Sequence, residues 1–376
     1  MKILVIEPQC RGWEHEQVNA AFLSIVAEHE SDKEIIFCAE QSHIDCIDKL
    51  FVLREKITTH AITLPVKSGD TMKFWKEYYI LLRTLLNEFS GIEKVLFLSS
   101  HKGNMYAINK LAKELPQIKY IITVHALVEQ LKRKCRLRDR LFKDNFFYGW
   151  GLREIMNRLS KKESIKFVTY SPTFVEQASD ILKKKTLDKI YFINIPYMYG
   201  NPLPKVKEDK IIIGLIGGAV NDNARILIED VVKADYSEGL EFRIIRTDQD
   251  FSNLKNVVVI NEGKSISREQ IEEECQYFDY MLLAYDKTMY GMSASGVFFD
   301  AINYEIPILM LNSPFLEWYN NKYQIGIQAQ TVEELAREIK DIVLSNNRNE
   351  ELYINIKKTR KCILQENMEL LKKVME

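Results

Sequence analysis

Residues 285–311, YDKTMYGMSASGVFFDAINYEIPILML, concentrate residue types that can hold an anion. Ser293, Ala294, Ser295 and Gly296 are small, and the apolar run Val297, Phe298, Ala301 and Ile302 behind them has helical spacing. Ser293 or Ser295 can cap that helix. A helix that starts on serine and glycine offers unpaired backbone N–H groups and the positive end of its macrodipole, which suits a phosphate or diphosphate. Asp300 falls one turn into the helix, where a carboxylate can take the hydroxyls of a sugar attached to that diphosphate. A strand over residues 210–216 runs into Gly217 and Gly218 before a helical pattern over 223–233, and this arrangement can also cradle phosphate through backbone amides. A neutralising cation can come from Arg225, Lys264 or Lys287, each of which reads equally well as a plain surface charge. The competing reading of residues 285–311 is an ordinary α/β helix with a capping serine.

All six histidines lie at or before position 125, so any histidine chemistry belongs to the first third of the chain. His15 sits in the loop RGWEHEQ, where Glu14 or Glu16 can orient it as a general base; a solvated acidic loop explains the same residues. His125 ends the run YIITVH, and His101 follows Ser99 and Ser100 after another apolar run. A structural role suits His101 better than a catalytic one.

The elements that would position these residues alternate in type. Short apolar runs at 2–6, 35–39, 95–98, 120–124 and 167–170 predict buried strands. Residues 17–29 and 71–89 carry helical periodicity, the latter through Phe74, Tyr78, Leu82 and Leu85. Ser171 and Pro172 predict a capped helix start. The pattern restarts with strands at 210–216, 241–246, 257–260, 278–284 and 308–311. Strands separated by helices predict parallel sheets with crossover helices, whose ligands sit at the strand C-terminal ends. His15, His101 and His125 all fall there. Ser267 with Gln270, and Thr331 with Glu334, predict capping boxes. Residues 350–375, rich in Lys and Glu, predict a closing surface or domain-bridging helix.

Pro196, Pro202 and Pro204 break both kinds of element at mid-chain. They divide the chain into a domain over 1–196, a linker over 197–209, a domain over 210–350 and a final helix over 351–376. At 376 residues the chain is long enough for two cores of ordinary size. Hydrophobic residues make up 46% and charged residues 28%, and the net charge of −1 excludes a global field that would gather nucleic acid. No apolar run reaches membrane-spanning length. Six scattered cysteines without a CxxC pair predict free thiols in a reduced cytosol and no structural metal. One segment departs from this neutrality. Between 131 and 144 there are seven basic residues against two acidic ones, and aromatics follow at Phe146, Phe147, Tyr148 and Trp150. From Lys132 to Trp150 the segment suits peripheral contact with the inner face of a membrane, with a solvated helix face as the alternative.

The residues Ser295, Gly296, Asp300, Ala301, Ile306, Pro307 and Ile308 resemble the donor-binding signature of GT-B glycosyltransferases, in particular the retaining family 4-like or group 1 enzymes. The resemblance implies an α/β GT-B fold, two Rossmann-like domains facing across a cleft. The N-terminal domain would take the acceptor and the C-terminal domain the nucleotide sugar. It further implies that Asp300 takes the place of the glutamate that binds the ribose. Met292 stands where those enzymes carry an earlier glutamate, and Gly218 and Asn223 stand where they carry an arginine and a lysine. His125 resembles their strand-end histidine that contacts a donor-sugar hydroxyl. The implied activity is transfer of a sugar from a nucleotide-diphosphate sugar, a substrate rather than a cofactor, to a glycan or lipid-linked acceptor in cell-surface polysaccharide synthesis. It would need no metal. Two other readings share the fold: a nucleotide-sugar 2-epimerase, with Glu14, His15 and Glu16 recruited as acid and base, and a non-catalytic subunit that binds without turnover.

Overall fold

The computed structural model describes the whole chain except residues 51–56, 67–70, 126–127, 133–150, 262–265 and 347. It divides into two compact units. The first is Met1–Met198 with Met292–Ala294 and Gln365–Glu376; the second is Tyr199–Gly291 with Ser295–Leu364.

The first unit holds seven described strands: β1 (Lys2–Ile6), β2 (Glu34–Ala39), β3 (Ile57–Ala61), β4 (Ile92–Phe97), β5 (Lys119–Thr123), β6 (Ile165–Thr169) and β7 (Ile190–Phe192). They run parallel in the order β3-β2-β1-β4-β5-β6-β7. Winding therefore reverses between β1 and β4. Side chains alternate across the sheet. Leu4, Ile6, Val95, Phe97, Tyr120 and Ile122 enter one core with the helices Thr71–Glu88, Lys102–Glu114 and Leu152–Leu159. The helices Glu16–His29 and Gln41–Leu50 pack on each other outside that core.

The second unit repeats the plan with β8 (Ile211–Ile216), β9 (Leu240–Ile245), β10 (Val257–Ile260), β11 (Tyr280–Leu283), β12 (Ile308–Leu311) and β13 (Gly326–Ala329), all parallel in the order β10-β9-β8-β11-β12-β13. Its reversal lies between β8 and β11. Ile213, Leu215, Phe242 and Ile244 form a core with Leu227 and Val231 of the helix Asp222–Val231 and Leu335 and Ile339 of the helix Val332–Ser345. The helix Glu350–Met375 closes the chain, its residues up to Leu364 counted with the second unit and the rest with the first.

The caps show how local chemistry sets the helix ends. Ser267 and Gln270 form the reciprocal box that their spacing predicts. Thr331 accepts from the Glu334 N–H, but the Glu334 carboxylate turns to the Gln330 N–H at 2.7 Å, so only half of that box forms. The helix start predicted at Ser171 and Pro172 is corrected. The short helix there is Phe174–Gln177 with Thr173 at its N-cap, and the Ser171 hydroxyl bonds to the Thr173 hydroxyl at 3.1 Å. The helix Gln41–Leu50 and β3 were not in the sequence reading; β3 carries exposed Thr58 and Thr59 and so lacks an apolar run. Among the described residues no helix is long and apolar enough to cross a membrane.

Gly214 is where this packing is tightest. It lies in β8, and a Cβ there would stand 1.9 Å from the Phe278 ring. Gly214→Ala forces that buried ring aside, an overpacking cost of roughly 2–3 kcal/mol. Thermal melting of the variant should show a clear loss of stability.

Candidate functional site

Where a parallel sheet reverses its winding, neighbouring loops leave toward opposite faces and open a crevice at the strand C-terminal ends. Each unit has one such point, and most of the residues singled out from the sequence fall beside it.

In the first unit the crevice is flanked by the loop after β1 and the loop after β4. The loop after β1 is organised by Glu7, which is fully buried. One Glu7 oxygen accepts the N–H groups of Gln9 at 2.9 Å and Cys10 at 3.0 Å and also the Ser99 hydroxyl. The other accepts the Asn19 amide at 3.1 Å. A buried carboxylate is tolerated because each oxygen meets donors. The Asn19 amide lies 2.9 Å from His43 Nε2, and His43 Nδ1 is 2.8 Å from the Gly12 carbonyl. Gly12 N–H donates to the Ser42 hydroxyl at 3.0 Å. The loop is therefore pinned at both ends, and Gly12 and His15 adopt left-handed backbone, φ +50° and +55°.

His15 is exposed and opens the helix Glu16–His29. Its ring meets the His125 ring edge to face, with centroids 5.1 Å apart. His125 packs in turn against Tyr170 at 5.3 Å. Burial, and secondarily the nearby His15, push the His125 imidazole down from its ordinary value of 6.5 to about 3. At neutral pH it is uncharged and too weakly basic to serve as a proton acceptor of matched strength. His101 takes a structural role: its Nδ1 accepts from the Gly103 and Asn104 N–H groups and caps the helix Lys102–Glu114.

In the second unit the crevice lies between the loop after β8 and the loop after β11. Gly217 has φ +45°, and a Cβ on Gly217 or Gly218 would meet nothing within 4 Å. The space beside both glycines is open. Asn221 caps the helix Asp222–Val231 by accepting from the Ala224 N–H at 3.0 Å. Beyond β11, Ser295 caps the helix Gly296–Asn303, accepting from the Phe298 N–H at 3.2 Å, while its hydroxyl lies 2.7 Å from the Tyr285 hydroxyl. The Ser295 side chain is buried and fully used in holding the helix start. Gly296 is exposed with open space above it. A ligand here would meet backbone N–H groups rather than the serine.

Asp300 is mostly enclosed and forms an ion pair with Arg268, Nη2 to Oδ1 at 2.9 Å. Burial raises the Asp300 carboxyl above its ordinary range, and Arg268 pulls it back only in part. Desolvation outweighs the pair, as is usual for enclosed ion pairs. Arg225 pairs with Glu229 at 2.8 Å along its own helix and covers the Phe251 ring. Lys287 is exposed in the turn after β11, and Ser293 is half-buried and counted with the first unit. Met292 is buried in the first unit's core. Lys264 lies outside the described residues. So does the basic-aromatic segment from 133 to 150; Lys132, at the end of the turn Val128–Lys132, is exposed. Among the described residues no group of three or more His, Cys, Asp or Glu side chains is arranged to hold a metal.

No protein-family model and no curated protein matches the sequence. Solved structures do resemble it over its full length. A glycosyltransferase from Rickettsia africae ESF-5 gives a TM-score of 0.65 at 13% identity, covering 100% of this chain and 98% of its own. HepE from Anabaena, crystallised with UDP and glucose, gives 0.63 at 10% identity over the whole of both chains. WaaG, a glycosyltransferase of lipopolysaccharide biosynthesis, gives 0.59 at 12% identity over 99% and 98%. The chain has the GT-B fold.

Within this GT-B chain the sequence reading missed Arg268, Tyr285 and the Glu7–Asn19–His43 network. Glu7 carries a signal, an acid placed directly after an apolar strand. Arg268 carries only its position after a capping serine, which says nothing about Asp300.

Two measurements follow from these electrostatics. Arg268→Ala strips the enclosed Asp300 of its cation. Because Arg268 keeps 27% of its side-chain exposure, the loss should be about 2 kcal/mol in urea titration, below the 3–5 kcal/mol of a fully buried pair. His125 makes stability depend on pH: below 6.5 the unfolded chain takes a proton that the folded chain refuses until about 3. Stability present above 6.5 should therefore drain as pH falls, by up to ~1.4 kcal/mol per unit. Denaturation of wild type and His125→Gln at pH 5 and pH 7 should show a smaller loss in the variant.

Proposed function

We propose that the protein is a glycosyltransferase that moves a sugar from a nucleotide-diphosphate sugar to a glycan or lipid-linked acceptor. One observation carries the reading. In the second unit the open glycine pair after β8 and the Gly296 helix start beyond β11 flank the single reversal of a parallel sheet. Backbone amides on both sides of that point suit a diphosphate. The full-length likeness to solved glycosyltransferases supports it, as does the UDP bound in the Anabaena structure.

In this reading the amides of Gly217, Gly218 and Gly296 stabilise the departing diphosphate, and Ser295 with Tyr285 fixes the helix start that presents them. Asp300 takes the ribose hydroxyls and Arg268 keeps its carboxylate in place. Arg225, Lys264 and Lys287 remain the candidate cations for the diphosphate, with Ser293 a further polar contact. His15 is the candidate base and His125 a sugar contact. In this reading transfer proceeds without a metal. A role in cell-surface polysaccharide synthesis accords with the lipopolysaccharide pathway named for WaaG. The basic and aromatic composition of residues 132–150 supports peripheral contact with an anionic cytoplasmic membrane face.

Calorimetric titration with UDP and with GDP tests the donor site. One of the two should bind to wild type. Gly218→Val fills space that the fold leaves open, so it should keep its melting temperature and lose binding. Asp300→Asn should weaken binding by about tenfold or more, the worth of a hydrogen bond to a charged group. Absence of binding by both nucleotides, or equal affinity in wild type and Gly218→Val, overturns the reading.

A further inference from the structure

The end of β5 and the end of β6 enclose more polar atoms than the donor-site reading uses. Thr123, the last residue of β5, is 1% exposed, and Tyr170, just past β6, is 2% exposed. Thr123 Oγ1, the Tyr170 hydroxyl and His125 Nδ1 are all shielded from solvent, and none of them makes a well-aligned hydrogen bond among the described residues. So is the Ser100 hydroxyl, beyond the end of the neighbouring β4. Strand geometry brings the first three together. Thr123 pairs with Val168, so two residues on, His125 stands beside Tyr170. Tyr120 and Ile122 enter the core with Phe167, which turns Thr123, His125 and Tyr170 to the opposite face. The rings of His125 and Tyr170 confirm it at 5.3 Å. Burial and the Glu7 carboxylate push the Tyr170 hydroxyl up, while the Thr123 hydroxyl, within hydrogen-bonding reach of it, pulls the other way.

A buried polar atom without a well-made hydrogen bond costs roughly 1–3 kcal/mol, so two hydroxyls and a ring nitrogen in one place call for a shared partner. Buried waters typically make about three hydrogen bonds to groups of this kind. A phenol hydroxyl also donates more readily than it accepts. We propose that Thr123 and Tyr170 are positioning residues that, through one enclosed water, hold His125 as the neutral Nε2–H tautomer. Tyr170 donates to the water, the water donates to Nδ1, and Thr123 completes the water's shell. The proton left on Nε2 makes His125 a hydrogen-bond donor to a ligand oxygen, a sugar hydroxyl or a carboxylate. It also removes His125 from the role of base and leaves that role to the exposed His15. The ligand contact rests on the glycosyltransferase reading; the tautomer does not, and the experiment reads the tautomer.

The test is a long-range proton–nitrogen correlation spectrum of the histidine rings in the ¹⁵N-labelled full-length chain, with His125→Gln used to assign the signal. Wild type should show His125 as a single Nε2–H form whose shifts stay constant from pH 5.5 to pH 8. Thr123→Val and Tyr170→Phe should each move the His125 nitrogens toward averaged values, and Thr123→Ser should restore the wild-type pattern. A purely structural role for either hydroxyl would change the melting temperature and leave those nitrogens where they are. The proposal is overturned by an Nδ1–H form or a tautomer mixture in wild type. Titration of His125 near pH 6.5, or wild-type nitrogen shifts in both variants, overturns it equally. If one variant fails to fold, the other and the wild-type spectrum decide. Nucleotide binding plays no part in any of these outcomes, so failure of the donor site is separately visible.

Discussion

A parallel sheet can reverse its winding only by sending two adjacent strands' connections to opposite faces, and the gap between those connections cannot be filled by either. This constraint decides where chemistry can occur in both units. Between β1 and β4 the gap receives the loop of Glu7 to His15 and the serines after β4. Between β8 and β11 it receives the glycine pair and the turn that leads to Gly296. The central strands β1, β8 and β11 are largely apolar, because parallel sheets are covered on both faces. Polar residues that survive at their ends are therefore conspicuous, and Glu7, Ser99 and Ser295 among them are engaged.

What engages them is the low dielectric around the strand ends, where an unsatisfied polar group is expensive. Glu7 is tolerable because donors meet each of its oxygens, and in meeting them the loop after β1 acquires one shape. Ser295 serves the same purpose in the second unit: capped onto Phe298 and bonded to Tyr285, its hydroxyl fixes the helix start. Asp300 shows the limit of this strategy. Its partner Arg268 is near enough to pair but not enough to cancel desolvation, and the carboxyl remains raised.

Much of the fold was legible because its signals are local. β10 over Val257–Ile260, the closing helix Glu350–Met375 and the box of Ser267 and Gln270 all stand where apolar runs, periodicity and cap spacing put them. β3 was missed because it carries exposed threonines in place of an apolar run. Thr331 formed only half of its box because the Glu334 carboxylate found the Gln330 amide instead, a competition between acceptors that spacing does not rank. At the candidate site the glycines and Ser295 were visible as types. The ion pairing of Asp300 was not, since its partner lies thirty-two residues away on another helix.

The sequence by itself determined the alternation of elements, the apolar strands and the small residues at their ends, because period, propensity and capping act within a few residues of one another. Tertiary structure alone decided that His15 meets His125, that Glu7 binds Asn19 and Ser99, and that Arg268 faces Asp300. Those pairings come from strand order and from the cost of burying unpaired polar atoms, and both are set by elements distant in the chain.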